Sequence, residues 1–173
     1  MSGRTTTNDR DTDFYLRSSA LIRVLFSREK IVNAIDQINS YIEAQPDPKR
    51  SEMRTLHDLI MSQFSDCILS YLDGKDEQGK VVTNPNIGYG QQKLYYADGS
   101  SRDFYQIGMS ANSSGISIFI MGLKDRNYLP EKYGKSIGKA AVTSYCIKFK
   151  RVGEIDKAVL LSAVRDGIEL TST

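Results

Sequence analysis

Apolar residues along the chain change spacing several times, and each change marks a different element. Ile31, Ile35, Ile38 and Ile42 recur every three to four residues, which predicts a helix over about Ser27 to Ala44. Ser27 stands where an N-cap accepts from free amides. Gln45-Pro46-Asp47-Pro48 ends this helix, because a residue before proline is pushed out of the α region. A second helix opens at Pro48 or Ser51, and Met53, Leu56, Ile60, Phe64 and Ile68 form its apolar stripe. Asp73 to Lys80 reads as a polar surface loop.

Strand patterns follow. One run covers Asn86 to Ala97 and a second covers Phe104 to Ser110, with a tight turn at Asp98-Gly99 between them. Asn112-Ser113-Ser114-Gly115 makes the next turn. Ile116 to Leu123 is the most hydrophobic run and is expected at the centre of an antiparallel meander. A helix over Leu123 to Tyr133, a loop bounded by Gly134 and Gly138, a fourth strand over Val142 to Phe149 and a last helix complete the order. Asp156 lies near the start of that helix, and Val159, Leu160, Ala163, Val164 and Ile168 form its stripe. The pattern predicts one α+β domain in two layers, with the helices on one face of the sheet. Residues 1–12 are polar and expected to be disordered. Residues 13–40 form an N-terminal extension, within which the pattern leaves 14–26 open between a helix continuation and a separate short helix. The main domain is placed at residues 41–170.

Composition narrows the function classes. The chain has 173 residues, 40% hydrophobic and 25% charged, which fits one globular domain. A net charge of +2 gives no reason to expect nucleic acid or an anionic membrane. Between Lys124 and Lys157 nine basic residues face four acidic ones, a local bias without a recognisable nucleic-acid module. No apolar run is long enough for a membrane span. No targeting signal is apparent, since the only apolar stretch near the start, Ala20 to Phe26, is short and contains Arg23. Cys67 and Cys146 have no partner at metal-ligand spacing and read as reduced, buried thiols, with a disulfide as the alternative in an oxidising compartment. The expected setting is the cytoplasm of a bacterium.

Candidate chemistry is sparse. His57 is the single histidine, and its helical position among apolar neighbours reads as packing. One histidine and two isolated cysteines do not supply a zinc set, and no metal or cofactor is expected. Gly134-Lys135-Ser136-Ile137-Gly138-Lys139 departs from a phosphate loop, with three residues between its glycines and Ala140 after the lysine. A weaker reading as an anion nest stays open for it. Tyr89, Tyr95, Tyr105, Tyr128, Tyr133 and Tyr145 either line a ligand groove or serve ordinary packing.

Several stretches also carry a resemblance. Tyr41 to Arg50, Ile87-Gly88-Tyr89-Gly90, Tyr96-Ala97-Asp98-Gly99 with Asp103-Phe104, Ile107 to Ser110, Ile118 to Met121, and Gly134-Lys135 to Gly138-Lys139 followed by Ile147-Lys148 and Asp156 occur in an order that resembles the YdhG-like bacterial family of domains of unknown function. The resemblance spans roughly residues 40–168. It implies an α-β-β-β-α-β-α order in two layers, similar to the type III secretion chaperone-like architecture. It also implies, through some relatives, a frataxin-like iron chaperone. The chain departs from the family at Ala111 to Ser114, at Ala140-Ala141 and at Thr83 to Pro85, where relatives carry Arg-Lys, Ser-Cys and Trp-Gly. The leading expectation is a non-enzymatic binding module that takes a small ligand or protein at Gly88, Tyr89, Gly90, Tyr105, Lys135 and Lys139. The alternatives are the iron chaperone and an enzyme of unknown class. A homodimer is conceivable through an edge strand beginning at Val142.

Overall fold

The computed structural model describes residues 33–172. The expected tail over 1–12, the open question over 14–26 and the helix start at Ser27 lie outside the described residues. Helix α1 covers 33–43 within them, and α2 runs over Lys49–Gln63. The strands are β1 (Leu69–Leu72), β2 (Asn86–Tyr89), β3 (Gln92–Tyr95), β4 (Ser101–Phe104), β5 (Ile107–Asn112), β6 (Gly115–Ile120), β7 (Ala140–Val142) and β8 (Cys146–Phe149). Helix α3 (Tyr128–Tyr133) precedes β7, and α4 (Lys157–Thr171) closes the chain after a 3-10 turn at Val152–Glu154.

Six strands form one antiparallel sheet in the order β1-β2-β5-β6-β8-β7, and β3 and β4 pair as a separate hairpin. This is the α+β class with helices on one face. Period-two alternation decides that face. Ile87 and Tyr89, Ile107 and Met109, Ile116, Ile118 and Ile120, and Ile147 and Phe149 point inward and are buried. They meet Ile38 and Ile42 of α1, Met53, Leu56 and Ile60 of α2, and Leu160, Ala163 and Val164 of α4 in one core. The intervening residues Asn86, Gly88, Gly108, Ser110, Ser117, Phe119 and Lys148 therefore face the other way. β5 and β6 are the two middle strands, as the hydrophobicity of the 116–123 run predicts. The Asp98-Gly99 turn forms, with Gly99 at φ +83 and Asp98 Oδ1 accepting from the Ser100 amide at 2.9 Å. Asp156 caps α4 by accepting from the Ala158 and Val159 amides at 2.8 and 3.1 Å.

Several boundaries differ from the sequence reading. α2 stops at Gln63, and Ile68 is exposed ahead of an unforeseen edge strand, β1. The i+4 spacing of Phe64 and Ile68 continues past the helix only by coincidence. The run from Asn86 is two strands, because Gly90, at φ +72, turns the chain out of the sheet. The run from Phe104 splits likewise at Tyr105-Gln106 into β4 and β5. Helix α3 is shorter than the expected 123–133. The fourth strand is a hairpin, with Val142 on edge strand β7 and β8 inside it.

Polar side chains tie the pieces together. Gln92 Nε2 donates to the carbonyls of Tyr105 and Met121 at 3.1 and 2.9 Å, which fastens the hairpin base to the main sheet. Gln106 Nε2 donates to Thr171 Oγ1 at 3.0 Å and to Ile168 O at 3.2 Å, holding the end of α4. Asp166 of α4 accepts from Tyr128 and Lys132 of α3 at 2.5 Å, and from Tyr133. Burial opposes ionisation of Asp166, yet these hydrogen bonds together hold its carboxyl below the usual carboxylate range. Burial and then the Asp166 hydrogen bond push Tyr133 up to about 12.

Candidate functional site

The most developed surface lies on the outer face of the sheet. Gly88 and Gly108 are directly opposed across β2 and β5. Glycine weakens a strand interior and often marks a close approach; the neighbour shared by both is Tyr105, and Ser70 Oγ would also stand 2.3 Å from a Cβ on Gly88. A Cβ on Gly88 would stand 2.8 Å from Tyr105 Cβ, and one on Gly108 would stand 2.5 Å from Tyr105 Cε2. The Tyr105 ring thus lies flat across both glycines. Phe104 packs against it, tilted by 31° with centroids 4.1 Å apart, and the Arg102 guanidinium sits 4.5 Å from the Phe104 centroid. Burial pushes the Tyr105 hydroxyl up to about 12, so it remains a proton donor at neutral pH. Beyond Gly108 the register continues to Phe119 of β6, whose ring stacks with that of Tyr145 at 6.5 Å and 16°.

These aromatic groups divide a groove into two lobes that share Thr83, Asn86, Phe104 and Tyr105. The first lobe, about 550 Å³, reaches Tyr71, Leu72 and Asp73 to Lys75 at the β1 edge, and it carries Arg102 and Asp103. Its charges balance, and Lys75 lies 3.9 Å from Asp73. The second lobe, about 420 Å³, extends over Asn84, Ser110, Phe119, Met121 and Tyr145. Both volumes suit a small ligand. Ser110 Oγ donates to Pro85 O at 2.7 Å, and Asn86 Nδ2 donates to Asn84 O at 2.8 Å. Asn86 Oδ1 is buried without a hydrogen-bond partner, the one such side-chain atom among the described residues.

The six residues singled out from sequence do not converge. Gly88 lies under Tyr105 at the groove, whereas Gly90 lines a separate depression beside Phe104 and Tyr105 at the β1 edge. Tyr89 is corrected: it points into the core, fully buried, because it shares the parity of Ile87. Its hydroxyl lies 2.9 Å from His57 Nδ1. Lys135 and Lys139 stand in the loop before β7, four strand spacings from β2, or about 19 Å. Lys139 Nζ pairs with Glu154 at 3.2 Å. The anion-nest reading of that loop loses most of its donors, since the amides of Gly134, Ser136, Ile137, Lys139 and Ala140 already donate to backbone carbonyls. Of the other tyrosines, Tyr95 stands out on the hairpin and Tyr128 and Tyr133 serve the Asp166 cluster. Asn86, Phe104, Ser110 and Phe119 were not singled out, although alternate positions flanking the two glycines carry that signal.

His57 belongs to the core contact with Tyr89. Burial lowers its pKa below the ordinary value near 6.5. The unfolded chain then binds a proton that the folded state resists. Stability is fully present above pH 6.5 and falls as pH drops from there toward the folded value. The urea midpoint is expected to decrease between pH 7 and pH 5, and His57→Gln is expected to flatten that slope. An unchanged slope in the variant would assign the dependence elsewhere.

Both cysteines are free, and burial raises both thiols above their ordinary range. Among the described residues no three His, Cys, Asp or Glu side chains gather as a metal set, and no helix is long and apolar enough to cross a membrane. No family model, curated protein or solved structure matches this chain.

Proposed function

We propose that this chain is a non-enzymatic binding module of the YdhG-like type, built on the type III secretion chaperone-like architecture, and that the outer face of its sheet captures a small ligand. The observation that supports this most is the Gly88–Gly108 seat under Tyr105. Two glycines in adjacent strand interiors cost stability, roughly 0.5–1 kcal/mol each relative to alanine. In return they lay an aromatic floor between two ligand-sized lobes. The lining favours recognition over bond-making. It combines rings, hydroxyls and amides with two opposed pairs of charges in the first lobe, while His57 lies against Tyr89 on the opposite face.

Amide NMR with a library of charged and uncharged aromatic fragments tests the surface. Shifts are expected at residues 103–105, 110, 119 and 145, and they should need at least tenfold more fragment in Phe104→Ser. Phe104 is partly exposed at a strand end, so the variant should fold. Shifts gathered at residues 134–139, or none across the library, would reject the outer face.

A further inference from the structure

The sheet has two edges, and they differ. β7 spans three residues directly after Lys139, and a short edge beside a charge resists pairing with another chain. β1 has none of these protections. It carries no charge and no proline, and its register against β2 runs without a bulge. Its hydrogen bonding fixes which backbone groups stay unused. Ile68 O accepts from the Gly90 amide at 2.9 Å, so Ile68, Ser70 and Leu72 turn their backbone groups toward β2. The N–H and C=O of Leu69 and Tyr71 then point out of the sheet, and among the described residues no strand lies beyond them. Two large apolar side chains are exposed along the outer face of this edge, Ile68 at 53% and Leu72 at 42%. Ser70 lies midway between them.

We infer that β1 pairs antiparallel with β1 of a second copy, about a twofold axis at Ser70. This interface leaves the outer-face groove open and does not depend on it. One register meets several conditions together. Leu69 of each copy stands opposite the other's Tyr71, and each such pair exchanges two N–H···O bonds, so the unused groups of the edge are all satisfied. Ile68 stands opposite the other copy's Leu72 on the outer face, and the symmetry repeats that contact. Leu69 and Tyr71, already packed against the core, meet on the inner face. No like charges are opposed. Asp66 falls opposite the second copy's Gly74, next to its Lys75, and Asp73 falls opposite its Cys67. A shift of one residue would oppose an outward-turned residue to one that is bonded to β2. A shift of two would set Ile68 or Leu72 against Ser70 and lose the apolar pair. The second copy also reaches the groove, because Leu72 lines the first lobe and the incoming Ile68 extends that wall.

Sedimentation velocity and amide hydrogen exchange, both followed across protein concentration, test this. A contact through one short edge strand belongs to the weak class of interfaces, with an expected Kd on the order of 100 µM. The Ser70 and Leu72 amides should be protected at every concentration. Those of Leu69 and Tyr71 should slow about fourfold between about 10 µM and about 1 mM, as the monomer fraction falls. Ile68→Lys with Leu72→Lys opposes like charges at exposed positions and should weaken dimerisation about tenfold or more. Ile68→Glu with Leu72→Lys opposes unlike charges, and only between copies, since the two residues lie about 13 Å apart along one strand. That variant should dimerise about tenfold more tightly than the double lysine. A wild-type protein still monomeric at about 1 mM would overturn the inference. So would Leu69 and Tyr71 amides protected equally at every concentration, because the edge would then be paired within the chain. Equal dimerisation of the two charge variants would also overturn it, by placing the contact on another surface.

Discussion

Gly108→Ala is expected to destabilise the protein by about 2 kcal/mol, by overpacking. On backbone grounds alone the change should stabilise a strand, since alanine loses less freedom on folding. Gly108 is not among the glycines with positive φ, so its backbone does not require glycine. The cost comes from space: the new Cβ would lie 2.5 Å from Tyr105 Cε2. Lifting the ring would disturb its 4.1 Å contact with Phe104. Tyr105→Ala removes the clashing atoms, so the double variant should lose less than the sum of the two single losses, with a coupling of about 2 kcal/mol. Gly88→Ala makes a sharper comparison. There the closest atom is Ser70 Oγ at 2.3 Å and the nearest Tyr105 atom is Cβ at 2.8 Å, both kept in Tyr105→Ala, so the same second change should rescue it less. Urea unfolding followed by circular dichroism checks all of these. Additive losses at Gly108 and Tyr105 would mean the ring does not occupy the glycine seat.

Ile118→Ala should cost about 3–4 kcal/mol, whereas Phe119→Ala, one residue on, should cost only about 1 kcal/mol. Ile118 is fully buried at the middle of the sheet, opposite Met109 on one side and Ile147 on the other. Removing its branched end leaves a cavity under three helices. Phe119 has the larger side chain but faces the groove, where water replaces it. A loss of the first size is a large part of the roughly 5–15 kcal/mol that holds a domain together. The same urea measurements decide it, and equal losses would mean that both faces of the sheet are packed.

Features written in local chemistry are legible in the order of residues. The Asp98-Gly99 turn, the Asn112-to-Gly115 turn, the Asp156 cap and the central place of the 116–120 run each depend on a few neighbouring residues. Features set by distant partners are not. Gly90 breaks a run of strand-like residues through its positive φ, and Gln106 Oε1 would in addition meet a Cβ there at 2.3 Å. Tyr89 and Tyr105 look alike as strand tyrosines, but register sends one into the core and folds the other over two glycines. Lys135 and Lys139 follow a glycine-rich pattern that suggests an anion site, yet tertiary pairing takes most of the loop's amides. Asn86 gives no signal in sequence at all, because an unpaired acceptor exists only once the surrounding groups are placed.

Crystallography of the protein with bound indole bears most directly on the outer-face site. The ring is expected in the second lobe, in contact with Phe104, Phe119 and Tyr145. Indole seated elsewhere at full occupancy, with that lobe empty or filled by the protein's own side chains, would contradict it.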